Sequence, residues 1–463
     1  VLPSPRPRLI RLLGALVLAG LPLAAPAEAG PGPGPAIRPK ASNTDAMLWD
    51  KAMRLQARMW HHISPEGMLV YEHTQGAGPD TLSHEVLSVS DAAIWTGCYL
   101  GAQACRWHVT RDPDALRQVD RLLGSLELMS EITGTRGRLC RSVGRLSGRP
   151  RPGNVKDSPN RPGYVFLDDV SRDQLAGVVF GLALTIRFVD DPDVVRRAHD
   201  TLAHIGGRLA EDGMWLRRSG GRKAEYGELR HDVHLLPMVE NGPFAAIGYA
   251  PFAVMASRAT HPWWRQQKDK LDRAGWRRAL TEQLTWLDAQ ISMSNVNMVH
   301  LALTPIALFG DALAGDNARK GLRSLHAATR GWWNAGTCAC QLLADSGAGE
   351  RVLLDEIRAV LHMMTESEIP PRDVGFERTG RIVTIRERGV VDWAWKIHVD
   401  AARLPAPGSP PHPTKSVTRA DWLFAYWLSR AAGHLRPADG PGAAAIPPPC
   451  PMDLPPWMDG ASR

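Results

Sequence analysis

Residues 90–114 read SDAAIWTGCYLGAQACRWHVTRDPD, and residues 171–193 read SRDQLAGVVFGLALTIRFVDDPD. The two stretches are copies of one pattern. Each opens on Ser with an Asp close behind, at Asp91 and Asp173, and continues through an almost wholly apolar segment holding G-x-x-x-G (Gly97 and Gly101; Gly177 and Gly181). Each closes on D-P-D, at residues 112–114 and 191–193. Asp at an N-cap followed by Pro at the first helical position is a strong helix start, because Pro has no N–H to leave unpaired and its φ is already helical. An amphipathic segment follows. Leu116, Val119, Leu123 and Leu126 form one apolar stripe, and Val194, Ala198, Leu202, Ile205 and Leu209 form another. A helix apolar all round must be buried on every side, whereas a striped helix faces solvent on one. A buried helix paired with an amphipathic one, repeated, describes an inner and an outer ring.

A weaker third copy starts at Asn295 and runs through Asn297 and Leu308 to Asp311, then on to Leu322 and Leu325. Further helices are expected from Asp45 to Ile63, Pro243 to Ala256, Gly275 to Leu287, Val352 to Met364 and Arg419 to Gly433. The apolar ones begin near Asp91, Asp173, Gly242, Asn297 and Asp421, so alternate helices share one end. Extended segments are expected at 68–71, at 214–216 and as a hairpin over 381–399. The fold class is therefore all-α, an (α/α)6 toroid of helical hairpins with short β-hairpin loops.

The flanks differ. Arg6, Arg8 and Arg11 precede an apolar run from Leu12 to Ala25, and Ala27-Glu28-Ala29 is a small-residue cleavage site. Residues 1–29 thus read as a secretory signal, and the protein is expected to be exported, periplasmic or extracellular. Residues 30–44 form a Pro/Gly-rich leader, 45–433 the toroid, and 434–463 a Pro/Gly-rich tail. No later segment is apolar enough to span a bilayer. The net charge of +7 is spread along the chain without a basic stripe, which argues against nucleic acid as a partner. No nucleotide-binding or metalloprotease motif occurs, so no cofactor is expected. Of six cysteines, Cys338 and Cys340 form C-x-C with no matching His cluster nearby in sequence, so no metal site is assigned. Export would permit a disulfide from Cys140 or Cys450 to one of the others.

An export signal, repeated hairpins and S-D or S-x-D at inner-helix starts resemble the six-hairpin glycosidase superfamily over residues 45–433. The resemblance is architectural, without a family-specific catalytic motif. It implies a cleft where the inner helices begin and a carbohydrate-active enzyme: a glycoside hydrolase first, or a polysaccharide lyase or epimerase on the same scaffold. A non-catalytic exported glycan- or protein-binding protein is the third reading, since fold alone does not settle function.

Candidate residues follow from the cleft. Helix N-termini offer unpaired N–H groups and partial positive charge, which suit an anionic or hydroxyl-rich ligand. Asp91, Asp173 and Glu240 are the candidate catalytic carboxylates, with plain N-capping as the competing reading of the two aspartates. Arg172, His231, His234, Asn241 and Asn297 are candidate substrate-binding residues. Tryptophan outnumbers phenylalanine and tyrosine, 16 against 8 and 6. Most are assigned to packing, with Trp95, Trp393 and Trp395 as candidate cleft walls.

Overall fold

The computed structural model describes residues 41–88, 91–146, 153–230, 242–259, 261–281, 293–329, 334–345, 347, 349–369, 376–378, 403–405, 411 and 413–436. Residues 1–40, read as a signal and leader, and most of the expected tail lie outside these, as does the expected hairpin over 381–399.

The helices in chain order are α1 (Ala41–Gln56), α2 (Pro79–Ser88), α3 (Ala92–Thr110), α4 (Pro113–Glu131), α5 (Arg172–Phe188), α6 (Pro192–Glu211), α7 (Gly242–Arg258), α8 (Trp263–Arg273), α9 (Trp276–Ala279), α10 (Met293–Phe309), α11 (Ala312–Ala328), α12 (Ala335–Ala344), α13 (Glu350–Met363) and α14 (Ala420–Ala431). A 3₁₀ turn, Met59–His62, follows α1. Six helices, α3, α5, α7, α10, α12 and α14, pack side to side and close on themselves, α14 meeting α3. Against them lie α4, α6, α8, α11, α13 and α1. The chain is an (α/α)6 toroid, the fold that the resemblance implied.

The D-P-D turns form as their chemistry requires. Asp112 accepts from the Asp114 amide at 2.9 Å, and Asp191 from Asp193 and Val194 at 3.0 Å each, with Pro at the first helical position in both. The G-x-x-x-G segments are where α3 meets α5. A methyl group at Gly97 would land on the backbone of Gly177, and one at Gly181 on Gly97. Only hydrogen at these positions lets the two backbones approach so closely.

Several elements depart from expectation, α2 and α8 among them. The fifth inner helix, α12, is a ten-residue apolar segment that holds the C-x-C pair, is capped by Asn334, and is absent from the expected helices. A three-stranded antiparallel sheet also fills the loop between α4 and α5: β2 (Ser142–Arg145) and β3 (Val155–Asp157) flank β4 (Tyr164–Leu167). Elsewhere β1 (Glu72–Thr74) pairs with β9 (Lys415–Val417), β5 (Trp215–Arg217) with β6 (Lys223–Glu228), and β7 (Phe376–Arg378) with β8 (Arg403–Pro405). Residues 68–71 make only an isolated bridge, Ile63 to Leu69, before β1 begins. Cys140 is a free buried thiol, as are Cys98, Cys105, Cys338 and Cys340, so no disulfide links the described cysteines.

Tryptophans mostly staple layers. Trp422 Nε1 donates to Leu361 O at 2.8 Å, Trp60 Nε1 to Asp114 at 3.1 Å, and Trp427 Nε1 to Gln56 at 3.3 Å. Trp422 and Trp427 are fully buried and Trp60 partly so, each with its N–H satisfied as a buried indole needs.

Candidate active site

Inner helices α3 and α5 begin side by side, and their first residues build a polar cluster. Ser171 caps α5, and the S-x-x-Q spacing closes a capping box: the Ser171 amide donates to Gln174 Oε1 at 3.0 Å. This fixes the orientation of the Gln174 amide. Its Nε2 then donates to two carboxylates, Asp91 Oδ1 at 3.2 Å and Asp173 Oδ2 at 3.1 Å. Both oxygens are within hydrogen-bond reach of one nitrogen, at 3.2 and 3.1 Å, so they stand no more than 6.3 Å from each other. Gln174 is fully buried, while both aspartates are reached by solvent. The amide is the floor of the cluster and the carboxylates are its rim.

Arg141, from the loop after α4, holds the other side of Asp91. Its Nη2 donates to Asp91 Oδ1 at 2.8 Å, while Nη1 donates to Asp169 O and Ser171 Oγ, both at 3.2 Å. Asp91 sits at the N-cap position of α3, yet its side chain makes no capping bond. The capping reading of Asp91 therefore gives way: its carboxylate faces Arg141 and Gln174. Asp173 is the second residue of α5, and its Oδ1 contacts the Ser171 hydroxyl. That hydroxyl also contacts Gln174 Oε1, so its single proton serves one of them at a time.

Tyr71 completes this corner. Burial, and then the Asp91 carboxylate beside it, hold its phenol well above the ordinary tyrosine range, with Arg141 pulling the other way. Trp95 packs edge-on against Tyr71, with centroids 6.3 Å apart. It is only 3% exposed, so its ring supports Tyr71 instead of offering a face to a ligand, a correction to its reading as a cleft wall. Arg172 points toward α7, its guanidinium 3.7 Å from the centroid of the Phe244 ring. Burial pushes its pKa down, while Asp173 and Glu228 oppose that shift.

Asp168 and Asp169 anchor the neighbouring loop. Asp168 accepts from the Ser219 amide at 3.0 Å and its hydroxyl at 2.7 Å, and Asp169 from Arg218 Nε at 2.8 Å. The turn between β5 and β6 is thereby tied to the start of α5.

Farther round the ring, Asn297 is 7% exposed and lies one turn inside α10. It accepts from Asn334 Nδ2 at 3.2 Å, and Asn334 in turn caps α12. Its side chain thus joins two inner helices, beside a small apolar pocket lined by His300, Leu301, Thr337, Cys340 and Phe424. Asp421 is buried and accepts from the Trp422 amide at 2.8 Å. Glu240, His231, His234, Asn241, Trp393 and Trp395 lie outside the described residues.

Of the expected residues, the structure brings together Asp91, Asp173 and Arg172. It adds Arg141, Gln174 and Tyr71. Gln174 carried a signal in the S-x-x-Q spacing, whereas Arg141 and Tyr71 come from loops with no pattern to mark them.

No family model matches this chain, and no curated protein matches it significantly. Solved structures to which it is similar include three of nearly full length. One is the cellobiose 2-epimerase from Spirochaeta thermophila DSM 6192, at 13% identity and TM-score 0.43, covering 84% of this chain and 98% of that one. Another is a sugar epimerase from a ruminal bacterium, at 10% identity and TM-score 0.43, covering 83% and 99%. A third is the cellulase Cel9M of C. cellulolyticum, at 11% identity and TM-score 0.39, covering 84% and 98%. The assignment of six hairpins rests on this chain's own ring of helix contacts.

Proposed function

We propose that this protein is an exported carbohydrate-active enzyme, a glycoside hydrolase whose working pair is Asp91 and Asp173. The observation that carries the reading is the shared Gln174 amide, which sets two solvent-reached carboxylates at the start of adjacent inner helices. The upper bound of 6.3 Å on their bonded oxygens accommodates the roughly 5–5.5 Å of retaining enzymes and falls short of the roughly 6.5–9.5 Å that inversion needs for an intervening water. Asp91 is ion-paired with Arg141, and it takes the part of nucleophile. Asp173 makes its bonds to a hydroxyl and an amide, and it takes the part of general acid and then base. Arg172 and the exposed Tyr226 offer a donor and a ring at the rim for sugar hydroxyls and faces.

Elimination from a uronate is the second reading, favoured by a phenol beside a guanidinium, Tyr71 near Arg141. The raised pKa of Tyr71 works against it as a base. A glycan panel with product analysis by mass and ultraviolet absorbance tests both. Hydrolysis adds water and leaves no chromophore. Release of unsaturated, absorbing products would overturn the hydrolase reading, and so would turnover that persists in both Asp91→Asn and Asp173→Asn.

A further inference from the structure

Cys338 has no histidine near it in sequence, yet the fold supplies one. Cys338 lies in the first turn of inner helix α12 and is 1% exposed. His326 lies in the last turn of outer helix α11, and Glu356 is in the middle of outer helix α13. One ligand atom from each, His326 nitrogen, Cys338 Sγ and a Glu356 oxygen, falls within 4.8 Å of the other two. His326 Nε2 is 3.5 Å from Glu356 Oε2. That nitrogen is buried and makes no hydrogen bond among the described residues, the Glu356 carboxylate being its ion-pair neighbour, and the Cys338 thiol faces the same carboxylate. A cation held between the three would satisfy nitrogen, sulfur and carboxylate together.

We propose that His326, Cys338 and Glu356 form a zinc site that pins α12 between α11 and α13. Three arguments support it. Nitrogen, thiolate and carboxylate are the three donor types zinc takes, and ligands bound at 2.0–2.3 Å in a tetrahedron stand about 3.3–3.8 Å apart. The His326–Glu356 distance is already in that range, and the Cys338 side chain need close by only about 1 Å. The position also suits a staple: α12 has 10 residues, against 12 in α14 and 17 to 19 in the other four inner helices. Water fills the fourth position. Binding forms the Zn–S bond as the Cys338 thiol proton leaves to solvent, so uptake releases a proton and strengthens as pH rises. The site lies behind the ring wall, apart from the Asp91–Asp173 pair, and does not depend on the reading of that pair.

The test uses the full chain, with its thiols shown to be reduced. It is incubated with zinc, desalted, and its metal content measured; cobalt serves as the spectroscopic probe. The expected result is one equivalent of zinc, and with cobalt a sulfur-to-metal charge-transfer band in the near ultraviolet. Cys338→Ser abolishes the band. His326→Asn and Glu356→Gln, on outer helices that the change leaves folded, weaken binding by about tenfold or more. Zinc raises the Tm of the parent protein and leaves that of the variants unmoved. The proposal is overturned if the reduced protein keeps no zinc after desalting. It is equally overturned if a cobalt–sulfur band survives Cys338→Ser, or if the two outer-helix variants bind as the parent does.

Discussion

Gly97→Ala adds one methyl group, and the structure says where it goes. The new carbon would meet the carbonyl of Gly177 and the Val178 amide, backbone atoms that cannot rotate away. Gly181 faces Gly97 from the other helix at similarly close range, so α3 and α5 would have to separate along this seam. Overpacking of this kind costs about 1–3 kcal/mol, and here the neighbours are backbone, which puts the cost at the upper end or beyond. The helix-propensity gain of Gly to Ala, about 1 kcal/mol, offsets part of it. A net loss of about 2 kcal/mol is expected, which lowers Tm by roughly 2–3 °C in a toroid of this length. Gly207→Ala is the control. It makes the same change within α6, with no heavy atom within 4 Å of the new carbon, so it should gain up to about 1 kcal/mol. Circular dichroism during heating and in denaturant reads both. If Gly97→Ala is as stable as the parent, or tracks Gly207→Ala, the close seam between inner helices is wrong.

Two further changes probe charge in the ring. Arg106 is buried on α3 and bonds Asp112, Asp114 and Gln103. Arg106→Met leaves the buried Asp112 without its cation and the half-buried Asp114 with Arg117 alone, and should cost up to about 3–5 kcal/mol in denaturant titration, part of it recovered by adding Asp114→Asn. Lys51 donates to the Leu361 and Met364 carbonyls, and burial lowers its pKa from 10.5 to about 8. The unfolded chain therefore holds this proton more tightly than the folded one between those values. Lys51 thus contributes stability that grows as pH rises from about 8 toward 10.5. Lys51→Met should remove that slope when stability is followed against pH in parallel with the parent.

The fold was legible because its signals are local and repeated. Each D-P-D reads within a few residues, and the contrast between an all-round apolar helix and a striped one needs only a single turn-by-turn count. The short sheet was hidden because β3 and β4 are three and four residues long and lie among Gly, Pro and Arg, which mask alternation. α12 was hidden because a C-x-C pair draws attention to its sulfurs and away from the apolar helix that buries both of them. The site was half legible. Asp91 and Asp173 stand at helix starts that the pattern exposes. Arg141, which turns Asp91 away from capping, reaches it across 50 positions of chain. Spatial neighbours of that kind leave no trace in periodicity. The same holds for His326, Cys338 and Glu356, which three separate helices bring together.

The account stands most directly on Asp91. A 2-fluoro glycoside of whichever sugar the glycan panel shows to be cleaved should form a slowly released glycosyl ester in a retaining enzyme. Peptide mass analysis of the inactivated protein is predicted to find the sugar on the peptide containing Asp91, and to find none in Asp91→Asn. Continued turnover with no ester, or an ester carried by any other residue, would contradict it.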